Sequence, residues 1–379
     1  MCKKLITIVA GARPNFMKIA PVIRALNEAQ DFFSYRLVHT GQHYDEIMNG
    51  VFFKELNIPA PDLNLTGKRG EGDSEQTARI MIGFDRECRN FRPDLVMVFG
   101  DVNSTLACSI VAKKHGIRLA HVEAGLRSGD RSMPEEINRL ITDAISDIFF
   151  VTEPSGVDGL LKEGHSQSSI YYVGHVMVDN LYYQLAKLKK VDVTKYLTKN
   201  IKDRAVNYGV VTLHRPSNVD NFETLKLIAD ALSELSNKIP LIFPAHPRTM
   251  KNLSKLGISM GPNVNLIEPL SYMEFLNLWK DARLVLTDSG GLQEETTALG
   301  VPCLTLRENT ERPITIDEGS NILVGVKKEK ILSEALKIIS EDKKNYLKPN
   351  LWDGLSSQRI LGHLKNDLFK TSPLEMGIT

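Results

Sequence analysis

The feature that most constrains the fold is a repeated alternation of short apolar strands with longer amphipathic helices. Strands separated by helical patterns predict a parallel sheet with helices on both faces, and such strands are apolar throughout because both of their faces are covered. The predicted strands of the first half are Leu5–Ala10, Tyr35–Thr40, Asp94–Phe99, Arg118–Val122, Ile148–Val151 and Ile170–Val173. The sequence therefore predicts an α/β protein.

The same alternation restarts after a break. Asp179–Lys202 is polar, rich in lysine and without a strand pattern, which predicts a helical connector between two domains. The strands predicted beyond it are Tyr208–Leu213, Leu241–Phe243, Val264–Ile267, Leu284–Thr287, Cys303–Leu306 and Asn321–Val324. We therefore expect two doubly wound, Rossmann-like domains, residues 1–178 and 179–355, with a cleft between the carboxyl ends of their strands.

Composition excludes several classes of partner. The formal net charge of the 379 residues is +1, so bulk charge indicates neither a nucleic acid nor a membrane surface. Cys2, Cys88, Cys108 and Cys303 form no CxxC pair, which argues against a zinc site or disulfides and fits the reducing cytoplasm. The apolar run after Lys4 is too short for a signal peptide, and no segment approaches the length of a membrane span.

An acidic stretch, His121–Arg139, carries the first candidate site. Glu123 directly follows the strand Arg118–Val122, at the end where open α/β sheets bind their ligands. Pro134 suits the first position of a helix, so Glu135 and Glu136 are predicted at its positive end. Carboxylates that share a cleft differ in proton affinity, which chemistry with an acid and a base requires. The simpler alternative is a solvated acidic helix start paired with its arginines.

A glycine-rich helix start in the second half carries the other candidate site. Thr287–Gly291 follows a predicted strand and opens a predicted helix, where free backbone N–H groups bind a pyrophosphate. Glu294 and Glu295 lie about one turn further, where a carboxylate can accept both hydroxyls of a ribose. A plain helix cap followed by solvated glutamates is the alternative. No strand is followed by GxGxxG, so the dinucleotide fingerprint is absent.

Cations and one histidine extend both sites. Arg13 and Lys18 lie near the start of the first helix, and Arg312 follows the strand Cys303–Leu306; all three suit a phosphate. His214 ends an apolar strand, where it can stabilise a leaving phosphate or move a proton. The alternatives are surface cations and a structural histidine.

Three further residues are interpreted as structural from the sequence alone. A structural role is favoured more strongly for His121 and His246 than for His214. Phe275, one turn into a predicted helix, can pack on a base, but a place in the hydrophobic core is favoured.

Seven motifs, taken in order, carry a resemblance to a known family. They are GARPNFMK at Gly11–Lys18, TGQHYD at Thr40–Asp45, FGD at Phe99–Asp101, HVEAGLRSGD with PEEINR in His121–Arg139, LHRPSN at Leu213–Asn218, TDSGGLQEE at Thr287–Glu295 and ERP at Glu311–Pro313. On these motifs the chain resembles the non-hydrolysing UDP-N-acetylglucosamine 2-epimerases, which have the two-domain GT-B fold.

The resemblance implies roles for these positions. Asp101, Glu123 and Glu135 match the acid/base carboxylates, with Glu136 as the alternative to Glu135, and His214 matches a residue that assists the nucleotide. The substrate-binding positions matched are Arg13, Lys18, Phe275, Ser289, Gly290, Gly291, Glu295 and Arg312. Residues 356–379 match a helix that returns to the first domain. The family also implies a homodimer.

The implied reaction is a reversible epimerisation at C2. UDP leaves C1 as the C2 proton is removed, and its readdition to the glycal gives UDP-N-acetylmannosamine with neither metal nor redox cofactor. The alternatives are a hydrolysing epimerase, an epimerase of a diacetamido uronic acid sugar, a GT-B glycosyltransferase and a non-catalytic nucleotide-sugar sensor. Asp45 stands where family members with a regulatory substrate site carry Gln, so that regulation is in doubt.

Overall fold

The computed structural model describes residues 2–41, 53, 55–65, 72–204, 207–342 and 345–369, without the side chains of Arg13, Pro14 and Arg204. The chain divides into two compact units. The first comprises Met1–Asn180 and Asn350–Thr379, and the second comprises Leu181–Pro349. Each unit contains one fully parallel sheet with helices between its strands, so the predicted fold class is confirmed.

The first unit contains a seven-stranded sheet in the order β3-β2-β1-β4-β5-β6-β7. Its strands are β1 Lys4–Ala10, β2 Phe33–His39, β3 Leu63–Asn64, β4 Leu95–Phe99, β5 Arg118–Val122, β6 Ile148–Val151 and β7 Ile170–Tyr172. The helices described are α1 Arg13–Glu28, α2 Asp73–Asn90, α3 Asn103–Lys114, α4 Pro134–Ile145 and α5 Pro154–Lys162. The next helix, α6 Val176–Leu188, contains the boundary between the units, which falls after Asn180. The two-residue β3 was not predicted, because it is too short to show a periodic pattern.

Strand order places a ligand crevice in the first unit. The order reverses between β1 and β4, and open α/β sheets bind ligands at such a switch point, beyond the carboxyl ends of the strands. Phe99 of β4 pairs in register with Val122 of β5, so Gly100 and Glu123 leave the sheet at the same level. The segments that follow β1, β4 and β5 therefore emerge at one edge of the sheet.

The second unit repeats this plan with six strands in the order β10-β9-β8-β11-β12-β13. They are β8 Gly209–Thr212, β9 Leu241–Pro244, β10 Val264–Ile267, β11 Leu284–Thr287, β12 Cys303–Thr305 and β13 Asn321–Leu323. The helices described are α7 Lys199–Arg204, α8 Pro216–Val219, α9 Phe222–Leu235, α10 Pro247–Lys255, α11 Tyr272–Trp279, α12 Gly290–Leu299, α13 Ile314–Asp317 and α14 Lys328–Ser340. The switch point lies between β8 and β11, so the segments after these two strands flank it.

The last helix, α15 Ser356–Leu368, packs on the first unit. The buried Asp179 carboxylate accepts hydrogen bonds from the backbone N–H groups of Ser356, at 3.0 Å, and Ser357, at 2.7 Å. A carboxylate at this position satisfies N–H groups that have no partner within the helix. Further along, Arg118 of β5 pairs with Asp367 at 2.6 Å. Among the described residues, no helix is both long and apolar enough to cross a membrane.

Candidate active site

Glu123 holds an unusual backbone conformation at the end of β5. Its φ is +72°, in the left-handed region that residues other than glycine rarely adopt. The N–H groups of Glu123 and Ala124 both donate to the carbonyl of Phe150, at 2.9 and 3.2 Å, and these bonds hold the turn. Strain of this kind persists only where the surroundings enforce it, and it is concentrated at functional sites.

The Glu123 side chain is buried and paired with a lysine. Lys18 Nζ of α1 lies 2.5 Å from Glu123 Oε2, and each side chain is about 5% exposed. Lys18 also lies against Gly100, where an added Cβ would be 2.8 Å from Nζ. The φ of Gly100 is +65°, so this turn both bends sharply and leaves room for the lysine. The structure thus brings Lys18 to the carboxylate, while its predicted contact with phosphate stays a prediction.

Asp101 follows the Gly100 turn and is held by α4. Arg139 Nη1 forms an ion pair with Asp101 Oδ2, and Asn138 Nδ2 donates to the Asp101 carbonyl at 2.8 Å. The Asp101 side chain is 26% exposed, so it is held by Arg139 and still accessible.

The adjacent residues Glu135 and Glu136 have different environments. Glu136 is buried and accepts hydrogen bonds from the Ser128 N–H at 2.9 Å, the Gly129 N–H at 3.0 Å and Arg139 Nη2 at 2.8 Å. Burial raises the pKa of Glu136, but these bonds outweigh burial and the pKa is lowered. Glu135 is exposed, and no hydrogen bond or ion pair of the described residues reaches its carboxylate. Glu136 therefore fixes the loop before α4, and Glu135 is the one available to a substrate.

In the second unit the guanidinium of Arg312 lies at the start of α12. Ser289 precedes the helix, and its N–H donates to Thr287 Oγ1 at 2.9 Å. The Arg312 guanidinium lies against Gly290, where an added Cβ would be 3.0 Å from Nη1. Gly290 and Gly291 are both partly exposed, so the helix start is open to a ligand. The predicted cation and the predicted helix start are therefore brought together.

Arg312 is itself held by two carboxylates. Its Nε pairs with Glu294 Oε1, and its Nη1 lies 2.6 Å from Glu311 Oε1. Glu311 is also bound by Arg307 at 2.8 Å. Burial raises the pKa of Glu311, but Arg312 and Arg307 lower it to a net value of about 2. Glu294, which the sequence left open as a ribose ligand, is thus a partner of Arg312.

Glu295 has a partner that the sequence did not suggest. It is buried, and the Tyr272 hydroxyl donates to its Oε1 at 2.7 Å. Burial, followed by the charge of Glu295, raises the pKa of Tyr272, so the tyrosine stays a neutral donor. Phe275 lies one turn further along α11 and is only partly buried. The favoured assignment of Phe275 to the core is therefore incomplete, because part of its surface remains available.

His214 follows β8 and is oriented by a buried aspartate. Its Nδ1 lies 2.9 Å from Asp288 Oδ1, while its side chain is 49% exposed. Asp288 also accepts from the N–H groups of His214 and Arg215, at 3.1 and 3.0 Å, and from Asn218 Nδ2 at 3.1 Å. Burial raises the pKa of Asp288, but the bond from His214 and its neighbours outweighs burial and lowers it. Because Nδ1 is bound to Asp288, Nε2 is the nitrogen that can contact a ligand.

Two predicted elements fall outside this description. The side chain of Arg13 and the residues Gln42–Asp45 lie outside the described part of the structure. Within the described part, no group of three His, Cys, Asp or Glu side chains is placed to hold a metal ion.

The chain is similar to known proteins along nearly its full length. Residues 24–365 match the family model described as UDP-N-acetylglucosamine 2-epimerase. The UDP-N-acetylglucosamine 2-epimerase of Methanococcus maripaludis is 44% identical over 346 residues, which are 89% of this chain and 92% of the relative. This chain belongs to the UDP-N-acetylglucosamine 2-epimerase family.

The structure agrees with that family. The crystal structure of the Methanocaldococcus jannaschii UDP-GlcNAc 2-epimerase in complex with UDP-GlcNAc and UDP matches with a TM-score of 0.83 and 41% identity, over 95% of this chain and 99% of that chain. The UDP-2,3-diacetamido-2,3-dideoxy-D-glucuronate 2-epimerase of Pseudomonas aeruginosa is 37% identical over 95% of this chain and 99% of the relative. The family and the GT-B type of fold predicted from the motifs are confirmed, and the roles of individual residues stay predictions.

Proposed function

We propose that this epimerase-family protein interconverts UDP-N-acetylglucosamine and UDP-N-acetylmannosamine without net hydrolysis. The observation that carries the proposal is Glu123, a buried carboxylate in a strained turn, paired with Lys18 and level with the turn that leads to Asp101. The family match supplies the class of substrate and the reaction. Residues 1–178 are proposed as the domain of the acid/base carboxylates and 179–355 as the UDP-binding domain.

The chemistry needs groups on both faces of the sugar. In elimination the C2–H and C1–O bonds break, a C1–C2 double bond forms, and UDP departs with the bonding pair. A carboxylate accepts the C2 proton, and a second group delivers a proton to the opposite face as UDP adds back to C1. Asp101, Glu123 and Glu135 are the candidates, because all three are positioned by segments near strand or helix ends of the first unit. The two steps are redox-neutral.

The second unit is proposed to hold UDP. The backbone N–H groups that begin α12 at Gly290 and Gly291, together with the Arg312 guanidinium, suit the pyrophosphate, whose charge grows as it leaves. His214 contributes Nε2, because Asp288 holds Nδ1. Glu295 is assigned to the ribose hydroxyls and Phe275 to the base, while Arg13 and Lys18 are proposed to contact the substrate from the first unit.

A second candidate is epimerisation of a modified sugar. The Pseudomonas aeruginosa relative at 37% identity is named for a diacetamido uronic acid nucleotide, whereas the Methanococcus maripaludis relative at 44% identity is named for UDP-N-acetylglucosamine. Because the higher identity is to the latter, the unmodified sugar is preferred. Direct comparison of kcat/KM for the two UDP-sugars distinguishes them.

The test is incubation with UDP-N-acetylglucosamine in heavy water, followed by NMR at C2. The proposal expects UDP-N-acetylmannosamine with deuterium at C2 and deuterium uptake into remaining substrate. An epimer formed without deuterium excludes the proton-transfer mechanism. Free N-acetylmannosamine that accumulates in proportion to turnover favours the hydrolysing alternative, and no turnover with tight UDP binding favours a sensor.

We also propose a homodimer, which the family resemblance implies. The four scattered cysteines support a cytoplasmic location. Light scattering on the purified chain tests the first, and fractionation of the source cells tests the second.

A further inference from the structure

His121, the fourth residue of β5, is completely buried with both ring nitrogens hydrogen-bonded. Nδ1 lies 2.6 Å from Asp143 Oδ1 on α4, and Nε2 lies 2.9 Å from the carbonyl oxygen of Gly100. A backbone carbonyl only accepts, so Nε2 must carry a hydrogen. The protonation of Nδ1 then depends on the charge of Asp143.

Asp143 is held in its ionised form by its partners. Its Oδ2 lies 2.7 Å from Arg127 Nη1, and it accepts the Gly125 N–H at 3.0 Å. Burial raises the pKa of Asp143, but His121 and Arg127 outweigh burial and lower it. An ionised carboxylate only accepts, so the short contact between Nδ1 and Oδ1 is a hydrogen bond that Nδ1 donates. His121 therefore donates from both ring nitrogens.

The Asp143 carboxylate also belongs to a chain of ion pairs within the first unit. Asp143 comes from α4, Arg127 from the segment after β5, and Glu163 from the end of α5, where it binds Arg127 at 2.7 and 2.8 Å. Arg127 thus lies between two carboxylates and pairs with both. A buried charge is tolerated when it is paired and hydrogen-bonded in this way, whereas removal of one partner leaves an uncompensated charge.

We propose that the hydrogen-bonded pair His121–Asp143 positions the two turns that carry Asp101 and Glu123. His121 holds the carbonyl of Gly100, the residue directly before Asp101. Asp143 holds the N–H of Gly125, two residues after Glu123. One buried pair thus holds the segments that follow β4 and β5. This inference rests on the proposed function only in taking Asp101 and Glu123 as acid/base groups.

Both hydrogen bonds are made to glycines in turns with positive φ, Gly100 and Gly125. The φ of Gly125 is +81°, and a Cβ added there would lie 2.2 Å from the carbonyl oxygen of Gly156, so this close-packed turn has no room for a side chain. A ring with a single N–H would leave either Gly100 or Asp143 without its donor. Donation from both ring nitrogens is therefore what lets a single side chain hold both turns together.

The donation from both nitrogens is tested directly on the full-length protein. With ¹⁵N-labelled histidine, each ring nitrogen of His121 is expected to give the signal of a directly bonded hydrogen, because each nitrogen faces a buried acceptor. The His121→Gln spectrum identifies its signals. A spectrum in which only one ring nitrogen carries a hydrogen overturns the proposal. This measurement needs no substrate, so its outcome is independent of the proposed reaction.

The positioning role is tested by kinetics. Asp143→Asn keeps the shape but replaces the carboxylate that accepts from both His121 and the Gly125 N–H. The kcat is expected to fall roughly ten- to a hundredfold, because small misplacements of reacting groups are costly. The KM for UDP-N-acetylglucosamine and the Kd for UDP are expected to stay within about twofold, since the second unit is untouched. A folded Asp143→Asn protein with wild-type kcat overturns the proposal.

A matched control is available at the surface. His115 Nε2 lies 2.7 Å from Asp85 Oδ1, so this pair has the same chemistry but joins α2 to the residue after α3. His115→Gln is expected to leave kcat unchanged. If it lowers kcat as much as Asp143→Asn does, the effect is general and the positioning role is wrong. If the wild-type protein lacks epimerase activity, the proposed function fails, while the NMR result still decides whether His121 donates from both ring nitrogens.

Discussion

Substitution of Glu295 gives the sharpest test of the nucleotide site. Glu295→Gln keeps the side-chain shape and an acceptor for Tyr272, whose hydroxyl donates at 2.7 Å, but it removes the charge. A hydrogen bond to a charged group contributes about 1.5–3 kcal/mol and a neutral one about 0.5–1.5 kcal/mol. Loss of the charge should therefore weaken UDP binding by about 1–1.5 kcal/mol, or roughly five- to tenfold in Kd.

Glu295→Ala removes the acceptor as well, so the loss should reach about 1.5–3 kcal/mol, roughly ten- to a hundredfold. The loss should be smaller for 2′-deoxy-UDP, because that ligand lacks one of the hydroxyls assigned to Glu295. Titration calorimetry measures both ligands, and circular dichroism verifies folding. Equal losses for UDP and 2′-deoxy-UDP, or an unchanged UDP affinity in a folded variant, would refute the ribose assignment.

Glu274 supplies the matched control for a buried glutamate in the same unit. It lies on α11, next to Phe275, and accepts from the Thr198 N–H at 2.9 Å and from Thr198 Oγ1 at 3.2 Å. Glu274→Ala should lower the free energy of unfolding, because it leaves these donors without their acceptor. Its UDP affinity should stay that of the wild type, which separates a binding effect at Glu295 from general loosening of the unit.

Three further predictions concern turnover and stability. Asp101→Asn, Glu123→Gln and Glu135→Gln should each lower kcat by about 10²–10⁴ and keep the wild-type Kd for UDP; a variant with normal kcat loses its acid/base assignment. Lys18→Met should cost about 3–5 kcal/mol in urea unfolding, because it leaves the Glu123 carboxylate buried without its cation; an equally stable variant contradicts the pair. Glu311, with a pKa lowered from 4.5 to about 2, contributes stability that is present above about pH 4.5 and lost as the pH falls toward 2. The difference is about 3 kcal/mol, so Glu311→Gln should flatten the acid limb of the stability curve, and an unchanged limb is the contrary result.

The sequence predicted correctly those features that depend on one strand or helix alone. Apolar runs gave the six strands of the second unit and six of the seven strands of the first. Parallel order brings residues after successive strands to one edge, so Glu123, His214 and the helix start at Thr287–Gly291 were found from local pattern. Asp101 was identified as a site residue only through the family resemblance.

Partners that are distant in the chain were not predictable from one sequence. Glu294 and Glu295 are adjacent and look equivalent in the motif, yet one holds Arg312 and the other Tyr272. The pairing of Lys18 with Glu123 was not predicted, because nothing near Lys18 in the sequence indicates a carboxylate that follows a strand more than 100 residues later. Asp288 was noticed only as part of a glycine-rich turn. Pairing across separate strands and helices is a property of the folded unit and has no local signature.

The cap that Asp179 makes on the last helix has a consequence for synthesis of the chain. The first unit needs Ser356 and Ser357 for that contact, so a ribosome must translate the whole of Leu181–Pro349 before the first unit can be completed. The second unit is continuous and has all its residues earlier. Domains fold as units during translation, so the second unit can finish folding before the first unit, whose two segments flank it in the sequence. A chain that stops before α15 would then carry a formed second unit beside an unfinished first one.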